Sequence, residues 1–392
     1  RQWTPRVMQT TPIHLFTPSF TVEDIDDLTS RLKRTRFPNA ETVEDWSQGI
    51  PLSYQQELID YWIHEYDHQR VPSRLNVFSN FQTEIDELDI HFIHHRSRHT
   101  SATPLLITHG WPGSVLEYLD VIEALTNPTE HGGSASDAFH VVLPALPGFG
   151  FSQKPRGPGV GVPQIASMWE RLMSRLGYAH FHAHGGDWGS IVTQAILLQS
   201  ETTCSAGHCT LPVVPPDPST LDNPLPEEID AVESFQFYND WDCGYSKQQS
   251  TRPQTLGYGL ADSPAGQMAW IVEKFAFWMD CESNGIRHPE NVISKDVLLD
   301  NVMLYWMTNS AASSARLYWE SFNKTNLDPI SRPIGLSVFP KEIMRTSERW
   351  ARGRFKQLTH FNNQFKRGGH FAAMEVPETL INELRAWRST TP

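Results

Sequence analysis

Residues 180–189 read His180-Phe181-His182-Ala183-His184-Gly185-Gly186-Asp187-Trp188-Gly189, and Ser190-Ile191-Val192-Thr193-Gln194-Ala195-Ile196-Leu197 follow. A short run ends in paired glycines, a single acid stands between small residues, and a helix-length apolar stretch comes next. This is the pattern small-x-nucleophile-x-small at a strand-to-helix turn, with glycines where the turn is sharpest. The same texture recurs upstream. Pro104–Thr108 ends in His109-Gly110-Trp111-Pro112-Gly113, and Phe139–Leu143 ends in Pro147-Gly148-Phe149-Gly150. Helix-length stretches, Ser114–Leu125 and Pro163–Leu176, lie between these runs. Strands alternating with helices mean βαβ units and an α/β fold with a mostly parallel sheet, whose chemistry sits on the loops after the strand C-termini.

The flanks read differently. Residues 1–100 are expected to be a mostly helical, polar N-terminal extension. Ile25, Leu28 and Leu32 mark one helix face, Pro38 ends that segment, Tyr54–Trp62 forms a second helix, and Glu84–Ile93 reads as a pair of short strands. The core is expected over 101–210 and again over 326–392, with a strand at Ile334–Phe339 and a final helix from Pro377 to Trp387. Residues 211–325 break the alternation and are expected to form a helical, aromatic lid over the sheet edge.

Composition narrows the class. The chain has 392 residues with 32 basic against 45 acidic side chains, a net charge of −13. That excess argues against nucleic acid or an anionic membrane surface as partner. Mean hydropathy is −0.41, and no apolar run approaches the ~18 residues of a membrane span. Arg1–Arg6 lacks the apolar stretch of a secretory signal, and the chain is expected to be soluble and cytoplasmic. Four cysteines are too few for a disulfide scaffold. Cys204, His208 and Cys209 read as core rather than a metal site, and His91, His94, His95 and His99 as part of a strand pair. No metal and no cofactor is expected. Aromatic residues make up 11%; Phe275, Trp278, Trp306 and Trp319 are lid core or substrate pocket.

An aspartate at the centre of the turn selects the reaction. A carboxylate is a poor acyl-transfer nucleophile, but it opens a strained ring or displaces halide at sp³ carbon and leaves an ester for water to hydrolyse. The helix N-terminus behind Asp187 favours its negative charge. In this topology the backbone N–H of Trp111 pairs with that of Trp188 as an oxyanion hole.

From about residue 13 to 385 the chain resembles the α/β-hydrolase-fold epoxide hydrolases of the microsomal type, in a soluble form. The resemblance rests on Asp27-Leu28-x-x-Arg31-Leu32 with Arg36-Phe37-Pro38, Asp60-Tyr61-Trp62, His91–His94, His109–Ser114, Leu146–Ser152, Gly186–Gly189, Ser250–Thr255, Phe339–Glu342 and Gly368–Ala372. It implies an epoxide and water as substrates and a vicinal diol as product. Asp187 would be the nucleophile, His370 the general base, and Glu342 the acid orienting that imidazole. Two lid tyrosines, Tyr245 and Tyr318, would donate to the epoxide oxygen, with Tyr258 and Tyr305 as nearby alternatives. It also implies that no N-terminal membrane anchor belongs to this form, and it leaves room for a homodimer. Two rival readings stay open. One is a haloalkane or haloacid dehalogenase with the same Asp and His. The other is a hydrolase fold that only binds a small ligand.

Overall fold

The computed structural model describes residues 11–391; the opening stretch Arg1–Arg6 lies outside them. Nine strands form one sheet: β1 (Ile13–Leu15), β2 (Asn80–Ile85), β3 (Leu88–His95), β4 (Thr103–Thr108), β5 (Phe139–Pro144), β6 (Phe181–Gly185), β7 (Cys204–Cys209), β8 (Ile330–Ser337) and β9 (Phe355–Asn362). Their spatial order is β1-β2-β3-β5-β4-β6-β7-β8-β9. The first three strands pair antiparallel, β3 joins β5 antiparallel, and every pairing from β5 to β9 is parallel.

The parallel strands are apolar because helices cover both faces. Leu105, Leu106 and Ile107 of β4 and Val141, Val142 and Leu143 of β5 are all fully buried. Helix 162–175 shows the matching amphipathic pattern. Val162, Ile165, Ala166, Trp169, Leu172 and Met173 are buried on one face, Pro163 stands in the first turn, and Gly177 follows the end at φ +86°.

Some elements differ from their sequence reading. The strand pair expected within Glu84–Ile93 is longer, because Asp86 and Glu87 take left-handed φ values of 52° and 64° and close a two-residue hairpin. The first helix ends at Lys33, before Pro38. The expected strand Ile334–Phe339 runs over Ile330–Ser337. Strand β9, which carries the chain into the loop ending at His370, and the short edge strand β1 were not expected.

Between β7 and β8 the chain makes six helices: 226–237, 244–251, 253–262, 264–278, 295–307 and 311–321. A π-helical turn, Tyr238–Asp242, joins the first two. Cys204, His208 and Cys209 lie in buried β7 and the cysteines are unpaired. His91, His94 and His95 lie in β3. Among the described residues no helix is long and apolar enough to cross a membrane.

Candidate active site

Four loops at the C-terminal ends of parallel strands meet at one point. The loop after β4 carries Gly110 and Trp111, the turn after β6 carries Asp187, the loop after β8 carries Glu342, and the loop after β9 carries His370. Asp187 sits at φ 52°, ψ −129°, directly before helix 188–198. Such a conformation costs about 1–3 kcal/mol in a non-glycine residue and persists only where the surroundings impose it. Here they do. A Cβ on Gly189 would collide with the Thr108 carbonyl, and one on Gly110 with the Asp187 carboxylate itself.

The Trp111 N–H donates to Asp187 Oδ1 at 2.8 Å. His370 Nε2 lies 3.0 Å from Asp187 Oδ2, and His370 Nδ1 lies 2.5 Å from Glu342 Oε1. His370 and Glu342 are buried, while Asp187 keeps 13% of its side chain exposed. Burial disfavours the charged imidazole. Attraction to Glu342 and the hydrogen bonds to Asp187 and Glu342 outweigh it and raise the His370 pKa well above its usual value. The Trp188 N–H makes no hydrogen bond to the Asp187 carboxylate among the described residues. As the first N–H of its helix it has no intrahelical acceptor and stays free to meet an oxyanion.

The two tyrosines come from separate helices, Tyr245 from 244–251 and Tyr318 from 311–321. Their rings lie 5.7 Å apart at 82°. Tyr245 stacks on Trp111 at 4.9 Å and 7°, and Tyr318 meets the Trp188 ring edge-on at 5.0 Å. Burial, then Tyr318, Tyr238 and the Asp187 charge, push the Tyr245 phenol well above its usual pKa; burial and Asp187 do the same for Tyr318. Both stay protonated donors at neutral pH. The alternatives lie elsewhere. Tyr258 is 69% exposed, and the Tyr305 hydroxyl donates to the Gly113 carbonyl at 2.7 Å.

Three neighbours were not singled out as site residues. Trp278, left open between lid core and pocket, sets its ring 4.9 Å from that of His370, and its carbonyl accepts the His370 N–H at 2.9 Å. Tyr238 pairs hydroxyls with Tyr245 at 2.9 Å. Glu117 packs its carboxyl against Gly113, and desolvation pushes it up to about 8. None carries a local motif, since each acts through a contact made by the folded chain. Among the described residues no cluster of His, Cys, Asp and Glu could hold a metal ion.

Residues 13–118 match the model of the epoxide hydrolase N terminus, and residues 103–241 that of the alpha/beta hydrolase fold. A Stigmatella aurantiaca (strain DW4/3-1) protein described as "Putative epoxide hydrolase" is 49% identical over 365 residues, covering 92% of this chain and 81% of the relative. Epoxide hydrolase 1 of Oryctolagus cuniculus is 33% identical over 389 residues, covering 92% and 85%. The chain belongs to the epoxide hydrolase family. The solved Aspergillus niger epoxide hydrolase superposes on it with a TM-score of 0.87, 29% identity, and coverage of 98% of this chain and 97% of that one. This epoxide hydrolase has the α/β-hydrolase fold expected from the strand and helix alternation.

Proposed function

We propose that the chain converts an epoxide to a vicinal diol through a covalent ester on Asp187. The observation that carries this reading is the bracketed carboxylate, with Oδ1 on the Trp111 N–H and Oδ2 beside His370 Nε2. Oδ2 attacks an epoxide carbon, the ring C–O bond breaks, and its electron pair goes to the epoxide oxygen. That oxygen takes a proton from Tyr245 or Tyr318. His370, held in one tautomer by Glu342, then takes a proton from water, whose oxygen attacks Cγ of the ester. The charge that develops on Oδ1 is met by the N–H groups of Trp111 and Trp188. Breaking the Cγ–Oδ2 bond expels an alkoxide that takes the proton from His370 to complete the diol, and loss of the remaining water proton restores the Asp187 carboxylate. The helical segment 211–325 serves as the lid that supplies both tyrosines and an apolar seat for the epoxide.

Ester formation prepares His370 for the second step. Alkylation removes the negative charge of Asp187 and one hydrogen-bond partner of the imidazole, so its pKa falls as a base is needed.

One turnover in water carrying heavy oxygen tests the mechanism. With enzyme in excess over styrene oxide, the label is expected in the peptide containing Asp187 and absent from the diol. Label in the diol alone would overturn the covalent route. Asp187→Ala is expected to lower diol formation by at least about 10³-fold, measured with the same epoxide.

A further inference from the structure

The proposed ester mechanism leaves a proton to be moved. Ring opening leaves a tyrosinate. Of the two protons of the hydrolytic water, one departs with the leaving alcohol and the other must reach that tyrosinate. Tyr245 and Tyr318 are 5% and 2% exposed, so bulk water does not reach their hydroxyls freely.

Behind Tyr245 stands Tyr238, 2.9 Å from it between hydroxyl oxygens. With Tyr245 donating to substrate, Tyr238 is the donor in that pair. Tyr238 opens the π-helical turn Tyr238–Asp242, a distortion that recurs at functional sites. It also lines a cavity of about 240 Å³, together with Asp242, Trp278, Lys341, Glu342 and Arg345. A space of that volume with charged and phenolic groups on its wall holds water. Glu342, the partner of His370, lines the same cavity, and its buried Oε2 has no hydrogen-bond partner among the described residues. One cavity is therefore lined both by the group paired with the base and by the group paired with the acid.

We propose that Tyr238 is a proton-relay residue that reprotonates Tyr245 from water in this cavity, closing the proton circuit between the His370–Glu342 pair and the ring-opening acid. Tyr238 gives its hydroxyl proton to the Tyr245 phenolate and takes one from cavity water, which receives the proton released from the His370 side. Tyr238 touches no reacting atom and acts through Tyr245. Burial pushes its phenol up to about 12, while the hydrogen bond with Tyr245 opposes that rise.

The inference rests on the proposed ester mechanism, and the test separates the two. The full chain and Tyr238→Phe are mixed with styrene oxide in stopped flow, following tryptophan fluorescence for ester formation and absorbance near the phenolate band for tyrosinate. In Tyr238→Phe the first ester-forming phase is expected to stay within about twofold of wild type, while kcat falls about tenfold or more and phenolate absorbance accumulates at steady state. An unchanged kcat without phenolate overturns the relay. Equal loss of the burst and kcat also overturns it, because Tyr238 would then only orient Tyr245. Absence of a burst in wild type, with label in the diol alone, sinks the ester mechanism whatever Tyr238 does. If Tyr238→Phe fails to fold, Ser234→Leu, which narrows the same cavity and leaves every tyrosine hydroxyl in place, is expected to give the same split. Wild-type kinetics there overturn the cavity route.

Discussion

At the residue scale the site is organised around one strained carboxylate. Asp187 holds a left-handed φ because two neighbouring glycines leave the room, and it gains a backbone donor and an imidazole in return. The glycines, the aspartate and the Gly-Gly-His loop were legible because each leaves a local sequence trace. The contacts of Trp278, Tyr238 and Glu117 were not: Trp278 meets His370 from far along the chain, while Tyr238 with Tyr245 and Glu117 with Gly113 are near in sequence but form no recognisable motif. His370 gives the sharpest test of the electrostatics. Burial lowers its pKa, whereas Glu342 and Asp187 both raise it. Asp187→Ala removes one raising carboxylate and leaves burial and Glu342 in place, so His370 should titrate at a lower pH than in wild type. Imidazole NMR signals followed over a pH series measure this, and an unshifted midpoint would contradict this charge arrangement.

At the element scale legibility followed burial. Strands β4 and β5, covered on both faces, announce themselves as unbroken apolar runs. Strand β9, Phe355-Lys356-Gln357-Leu358-Thr359-His360-Phe361-Asn362, sits at the sheet edge, and its apolar residues recur every third position rather than alternating. Strand β1 has only three residues at the opposite edge. Edge strands lack the pattern that two-sided burial imposes. A joint between elements was equally invisible. Glu228 on helix 226–237 accepts from Arg349 Nε at 2.6 Å and Nη2 at 2.5 Å and from Ser347 Oγ at 2.6 Å. The Arg349 hydrogen bonds hold its carboxyl down to about 2, against desolvation, from an ordinary 4.5. A depressed folded-state pKa contributes stability that is complete above the unfolded value and fades as pH falls through the folded one. Wild type should therefore lose melting temperature relative to Glu228→Gln between about pH 5 and pH 2. Parallel melting curves for the two proteins would contradict that linkage.

At the scale of the whole molecule the N-terminal residues and the inserted helices hold each other over the sheet. The Tyr61 hydroxyl donates to Asp296 at 2.8 Å, Gln55 Nε2 to the Ala265 carbonyl at 2.7 Å, and Arg31 Nη1 to Asp262 Oδ1 at 3.0 Å. The tightest joint is Asp300, 1% exposed on helix 295–307. It accepts from the Tyr66 hydroxyl at 2.7 Å, Arg70 Nε at 3.0 Å and Arg74 Nη1 at 2.9 Å. The same helix carries Asn301 and Tyr305, which donate to the carbonyls of Pro112 and Gly113. The loop that carries Trp111 is thus braced by a helix that the N-terminal segment anchors. Asp300→Ala leaves the buried Tyr66 phenol without its acceptor and Arg70 without its ion-pair partner, while Arg74 keeps Asp120, and a buried donor stripped of its partner costs about 1–3 kcal/mol. The loss should appear as a lower unfolding midpoint in denaturant. Loosening the brace should also slow ester formation, because the Trp111 N–H no longer holds a fixed place on Asp187 Oδ1. A protease should then cut within 295–307 before it cuts the sheet. Wild-type ester formation in a destabilised Asp300→Ala would show that the anchor serves stability alone, and that the loop keeps its position without the N-terminal segment.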